Sequence, residues 1–377
     1  MLRKNHAGGV VTITQDGGAG SSGKGCLNSY LTTHFAWDAA ICNWQPNAGH
    51  YVTLDNGDRH VTQQVPSSFI NPNVMLMIGA GSAICIDTLL AEVKRLDEAG
   101  FNVSERLLIH PNAAVITEDC KEQERRELKH GSTFKGCGAV VARKAMRLAK
   151  LAKDCEELEV FIHHHFAEDV LDMLGRGANF LVEGAQGVDL DLNHGQYPHC
   201  TSRQTVPGQI ATDCGIPMNF VSQIVLNWRT YPIRISNESA ADGSHRYSGD
   251  CFGAPEITWR EVAERAGFTY DEFMAKYGAA LLTTVTKKER RVFEFPRDRA
   301  DFVWRLCGGS PGSDFVINSL NFVNFVDRNA SAVDHGMTEQ VKEWLIKNWS
   351  PHMLGALRWI RWGERINDCA EFSPLGY

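Results

Sequence analysis

The chain has no apolar run of about 18 residues, the length that a membrane helix requires, so no membrane partner is expected. Its N-terminus lacks the charged-then-apolar pattern of a secretory leader, so a cytoplasmic location is expected. Basic residues are outnumbered: 38 Lys and Arg against 45 Asp and Glu leave a net charge of −7. Gripping a nucleic-acid backbone needs a basic face, so no nucleic-acid partner is expected. A local basic pocket for a small phosphorylated ligand is compatible with this balance. The 11 cysteines are odd in number and form no CxxC pair. That pattern argues against a disulfide frame or a zinc site and reads as reduced thiols. Internal repeats and low-complexity tracts are lacking as well.

What is present is an alternation of short apolar runs and helical patterns over 377 residues. Val10–Thr14, Val74–Ile78, Leu107–Ile109 and Asn179–Glu183 read as buried strands. Ile86–Ala99, Phe166–Leu174, Thr258–Ala266, Tyr270–Tyr277 and Thr338–Trp349 have helical spacing. Ala139–Ala152 reads as a basic amphipathic helix, and Met353–Trp362 as the last helix. Phe220–Trp228 mixes apolar and polar residues and fits either state. This order predicts an α/β fold with a mainly parallel central sheet flanked by helices. Ligands of such sheets gather at the carboxyl ends of strands. The loops after Thr14, Ile78, Ile109 and Glu183 are the places to look.

Five loops carry chemistry-bearing residues. Gly17–Gly25 contains Gly18-Ala-Gly-Ser-Ser-Gly23-Lys24, the glycine and lysine spacing of a phosphate loop, with a helix expected over Leu27–Phe35. Lys24 is followed by Gly25 rather than by the usual Ser or Thr, and the hydroxyls come early, at Ser21 and Ser22. Pro46-Asn-Ala-Gly-His50 presents a histidine in a tight loop. His130–Gly138 combines hydroxyls, Lys135 and glycines ahead of a helix bearing Arg143, Lys144 and Arg147, which suits a second phosphate at a helix start. Val182–Arg203 is dense in side chains able to bond a base or a phosphate. Thr283–Arg291 sets threonines before basic residues, which suits a carboxylate clamp or a charged hairpin edge. His163–His165 is discounted as a metal site, because consecutive side chains diverge.

These loops, in this order, resemble the adenylosuccinate synthetase family. Its G-D-E-G-K-G loop corresponds to Gly20–Gly25, its N-A-G-H to Asn47–His50 and its G-[ST]-T-x-[KR]-G-x-G to Gly131–Gly138. Its E-G-A-Q-G block with the H-G-x-Y-P extension corresponds to Glu183–Ser202. The resemblance implies one catalytic domain over 1–377 with long loop insertions and a helical C-terminal part. It also implies a ligase that joins aspartate to C6 of a purine nucleotide through a 6-phosphoryl intermediate. Gly20, Ser22, Gly23, Lys24 and Gly25 are then expected on the triphosphate, and His50 as general acid or hydrogen-bond donor at the transferring phosphoryl group. Gln186 is expected on the purine O6. Asn47, Thr133, Thr201 and Arg147 are expected to hold the monophosphate nucleotide, Arg147 reaching the neighbouring site of a homodimer, with Arg143 as the alternative. Thr284, Thr286, Lys288 and Arg290 are expected on aspartate. Mg²⁺ is expected on Ser21 and the Gly49 carbonyl.

Two departures from the family pattern bear on substrate. The family's catalytic base is the Asp at the position of Ser21. Serine there resembles the viral relatives that act on dGMP instead of IMP and make a precursor of 2-aminoadenine; for a viral chain the location would be the host cytoplasm. The family's base contacts purine N1, beside C2, and shortening it to Ser frees space for guanine's 2-amino group. The family's L-T-K-L-D segment, which reads the donor guanine, is Ile317-Asn-Ser-Leu-Asn321 here, with Ser319 for Lys and Asn321 for Asp. An amide suits the N1 and N6 edge of adenine, so ATP or dATP is expected as donor. The alternatives are an ordinary synthetase using IMP, a small-molecule kinase and an inactive nucleotide-binding module.

Overall fold

The computed structural model describes residues 2–128, 132–239, 245–282, 288–309, 313–318 and 339–372. Nine strands build its main sheet. In chain order they are β1 (Val11–Asp16), β2 (Ala39–Cys42), β3 (Met75–Ile78), β4 (Leu107–Ile109), β5 (Phe180–Glu183), β6 (Gln223–Arg229), β7 (Ser313–Asn318), β8 (Leu357–Arg361) and β9 (Cys369–Glu371). Their spatial order is β9-β8-β7-β6-β1-β5-β2-β3-β4. Every pairing is parallel except β8 with β9. Both faces of such a sheet are covered, so its strands carry apolar residues on both sides. Ala40, Cys42 and Leu181 enter one core layer, while Ala39, Ile41, Phe180 and Val182 enter the opposite one.

The central strand β1 is apolar toward one layer through Val11 and Ile13. On its other side Thr12 and Thr14 are buried and paired, Thr14 donating to Asn28 Oδ1 at 2.7 Å and Thr12 to Gln223 Oε1 at 3.3 Å. Asp16 continues that polar side and is 1 % exposed. The chain then passes through the phosphate loop into α1 (Lys24–His34). The carboxyl ends of β1, β2, β5 and β6 lie side by side, which brings the loops that follow them onto one edge.

Two expectations are corrected, and one open reading is decided. Met353–Trp362 is a five-residue helix, Pro351–Gly355, followed by β8. Leu357, Trp359 and Ile360 pair with β7, so the apolar spacing serves a strand. The basic helix stops at Ala145, as Cys137–Ala145. Arg147 then takes a left-handed φ of 64°, and Lys150 O accepts from Val115 N at 2.8 Å, which turns the chain back along Val115. The ambiguous Phe220–Trp228 segment yields β6, the neighbour of β1. Trp349 and Trp359 are fully buried.

Candidate active site

The phosphate loop is held by its carbonyls. Arg229 donates to Ser21 O at 3.1 Å, Asn227 to Ser22 O at 3.0 Å and Arg361 to Gly23 O at 2.8 Å. Three successive carbonyls are thus tied to β6 and β8. The start of α1 at Gly23 has no side-chain cap, the condition under which helix N–H groups serve an anion. Gly23 enters that helix at φ 87°, a conformation costly for residues with a side chain. Gly25 explains why no Ser or Thr follows the lysine: a Cβ there would lie 2.4 Å from Tyr51 O.

Lys24 is buried, and its Nζ donates to Gln186 O at 2.5 Å and lies 3.7 Å from Asp16 Oδ2. Burial lowers its pKa, and Asp16 opposes that shift. The Gln186 amide nitrogen donates to Asn47 Oδ1 at 3.0 Å. Lys24, Gln186 and Asn47 are therefore brought together, as the motif order implies. His50 is 6 % exposed and stacks on Trp44 with ring centroids 3.6 Å apart and planes 8° apart. Burial first, then the charges of Lys24 and Arg203, push its imidazole well below the usual range, so it is neutral at pH 7. Its Nε2 is buried without a hydrogen-bond partner. A neutral ring fits the hydrogen-bond donor role better than that of a general acid.

Thr201 Oγ1 is likewise buried with no partner. Thr133 is exposed and opens, with Pro46, Lys121, Arg125 and Lys135, onto a cavity of about 390 Å³. One expectation fails here. The first amides of the Cys137–Ala145 helix do not await a phosphate, because Glu124 accepts from Gly136 N at 2.7 Å and Gly138 N at 2.6 Å. The Gly136 and Gly138 amides are therefore already occupied and do not serve an anion at Thr133. Arg147 is exposed. Arg143, the alternative, pairs with Asp119 at 3.2 Å.

At the clamp loop, Lys288 is exposed and Arg290 half-buried. Thr284, Thr286, Ser319 and Asn321 lie outside the described residues. Burial pulls Arg290 down to about 10. It pulls Arg229 down to about 9, and the adjacent Arg290 charge adds to that. Two guanidiniums forced together beside the phosphate loop make a place for an anion. Ser21 is exposed at that edge, while Ser22 is buried. The Gly49 carbonyl precedes His50 on the adjoining loop.

Sequence reasoning missed Asp16, Asn227, Arg229, Arg361 and Trp44. Backbone conformation supplies a further signal. Among the described residues six non-glycine residues have positive φ; Ser21 (58°), Phe134 (51°) and Gln186 (59°) fall in the loops singled out, and Arg147 (64°) is itself a residue named for the site. Such conformations cost about 1 kcal/mol or more each and concentrate at functional sites.

Comparison with known proteins bears on this arrangement. The family model described as adenylosuccinate synthetase matches residues 18–171 and 156–245. The chain belongs to the adenylosuccinate synthetase family. Its members are ligases that form C–N bonds. An N6-succino-2-amino-2'-deoxyadenylate synthase of Acinetobacter phage SH-Ab 15497 is 32% identical over 356 residues, covering 86% of this chain and 87% of the relative. An adenylosuccinate synthetase of Methanococcus aeolicus is 34% identical over 306 residues, covering 80% and 82%. Among solved structures, a succinoaminodeoxyadenylate synthetase of cyanophage S-2L, bound to dGMP and to dATP as an energy donor, superposes with a TM-score of 0.76 at 26% identity, covering 96% of this chain and 95% of that one. The adenylosuccinate synthetase fold is thus shared along nearly the whole chain, and the phosphate loop, Gln186 and His50 follow the carboxyl ends of its strands β1, β5 and β2.

Proposed function

We propose that this chain joins L-aspartate to C6 of dGMP with ATP or dATP as phosphoryl donor. The products with ATP are 2-amino-2'-deoxy-N6-succinyladenylate, ADP and phosphate. The observation that carries the choice of substrate is Ser21. Overall similarity does not separate the two readings, since the archaeal adenylosuccinate synthetase is as similar in identity as the phage enzyme. Serine at this exposed loop position offers room beside the purine C2 that the family's aspartate would fill. The dGMP and dATP bound to the cyanophage relative support the same reading.

The chemistry follows from the parts. The 6-oxo group leaves poorly, so its oxygen first attacks the γ-phosphorus and displaces ADP. The aspartate amine then attacks C6 and expels phosphate. Lys24 and the amides at the start of α1 hold the triphosphate, and the His50 imidazole donates to the moving phosphoryl group. Gln186 orients O6. Thr133 and Thr201 hold the dGMP phosphate. Arg290, with Thr284, Thr286 and Lys288, binds the aspartate carboxylates. The Ser21 hydroxyl and the Gly49 carbonyl are hard oxygen donors of the kind magnesium takes beside phosphate oxygens. Magnesium, when bound there, neutralises charge on the transferring group. A second copy of the chain is the natural destination of Arg147, which stands exposed between the apolar Met146 (58 %) and Leu148 (71 %).

Phosphate release tests the reaction class. Release from ATP that requires both dGMP and aspartate is expected, with the succinyl product seen by mass spectrometry. ATP consumption with dGMP alone, giving a stable phosphorylated nucleotide, would indicate a kinase instead. Exchanging the donor tests the reading of Asn321: kcat/KM for GTP is expected to be lower than for ATP by about tenfold or more. Faster turnover with GTP refutes it.

A further inference from the structure

Asp16 ends β1 directly beneath the phosphate loop and is 1 % exposed. Its Oδ1 accepts from Gly18 N at 2.8 Å and its Oδ2 from Ser22 N at 3.1 Å. Lys24 Nζ lies 3.7 Å from Oδ2, and both side chains of this pair are buried. The Asp16 N–H is itself fixed by Gln15 Oε1 at 2.9 Å. Positions 21 and 22, where the family pattern carries Asp and Glu, hold two neutral serines. Within the loop residues Gly17–Gly25 there is no acid, and among the described residues the carboxylate paired with Lys24 comes from the strand before it.

We propose that Asp16 is a positioning residue of the phosphate loop, which aims Lys24 at the triphosphate and keeps its ammonium charged. The charged groups around the pair support this division of labour. Lys24 faces Asp16 from β1 and the neutral His50 from the adjoining loop. Asp16 also lies within the field of Arg229 from β6 and of Asp189 from the loop after β5. Asp189 is already engaged, by Arg299 Nε at 2.7 Å. Burial lowers the Lys24 pKa, and Asp16 is the group that opposes this. On triphosphate entry the ammonium leaves Gln186 O for phosphate oxygens, while Asp16 retains its two loop amides and so preserves the curve of the loop.

The inference rests on the donor-site reading above, and the test separates the two. Its readout is kcat/KM for ATP as a function of pH in Asp16→Asn and Asp16→Glu. Asparagine keeps an acceptor for one loop amide but removes the charge. Lys24 then deprotonates at lower pH, so the alkaline limb moves down by about one pH unit or more, a loss of about tenfold at high pH relative to wild type. Asp16→Glu restores the limb even if kcat falls. An unmoved limb in Asp16→Asn, or an equal shift in both variants, overturns the inference. Should Asp16→Asn not fold, NMR titration of lysine ε-carbons in the wild type, assigned through Lys24→Gln, decides. Lys24 is expected to be charged at about pH 8, and a neutral amine there contradicts the proposal. Loss of ATP-dependent turnover in the wild type would sink the donor-site reading alone, since the NMR titration needs no turnover.

Discussion

Ser21→Asp is expected to lower kcat/KM for dGMP relative to IMP by about 10²-fold, chiefly by refusing the 2-amino group. The clash is felt by the bound state and the transition state alike, so it falls mainly on KM, with kcat changed less. Fold stability is not expected to suffer. Ser21 has φ 58°, and aspartate enters the left-handed region more readily than most residues. Its carbonyl bond to Arg229 is a backbone contact that the substitution leaves in place. Steady-state kinetics with both nucleotides check the result. Unchanged dGMP kinetics in a folded Ser21→Asp protein would remove Ser21 from the specificity argument.

Glu183→Ala is expected to cost about 3–5 kcal/mol of stability, a fall in Tm of several degrees, with little left to measure as activity. Glu183 is fully buried at the end of β5. It accepts from Asn28 Nδ2 at 2.7 Å, Ser67 N at 2.9 Å, Ser68 N at 3.0 Å and Ser68 Oγ at 2.7 Å. Its carbonyl also receives Trp44 Nε1 at 2.8 Å, and Trp44 carries the His50 ring. Removing the carboxylate leaves several buried donors unpaired at once. Thermal unfolding of the purified variant checks this, and a Tm within a degree or so of wild type would show that the network relaxes around the loss. Glu183, the first residue of the Glu-Gly-Ala-Gln-Gly motif, therefore braces the loop that carries Gln186.

That division explains what could be seen in the sequence. Val11–Asp16, the glycine loop and α1 were legible as strand, loop and helix because each follows a local pattern. The ligand edge was legible because motifs in series mark successive strand ends. β6 was not legible, since Gln223, Asn227 and Arg229 interrupt its apolar run. Those residues are buried because their partners, Asp314 and the carbonyls of Ser22 and Ser21, come from distant segments. β8 was misread for a related reason: Leu-Arg-Trp-Ile-Arg fits a helix face as well as a strand until β7 is there to pair with it. Arg361 and Asp16 escape notice because each acts on backbone atoms, which leave no trace in residue spacing. The Glu124 cap on the Cys137–Ala145 helix is the converse case. The sequence shows a helix start rich in hydroxyls, and only the fold shows that the protein's own carboxylate has taken the amides.

The central claim is the identity of the purine. It is tested most directly by offering equal dGMP and IMP to the purified protein in one reaction with ATP, magnesium and aspartate, and following both succinyl products by mass spectrometry. The 2-amino-2'-deoxy-N6-succinyladenylate product is expected to dominate. Adenylosuccinate formed from IMP, with dGMP left unconsumed, would contradict the account.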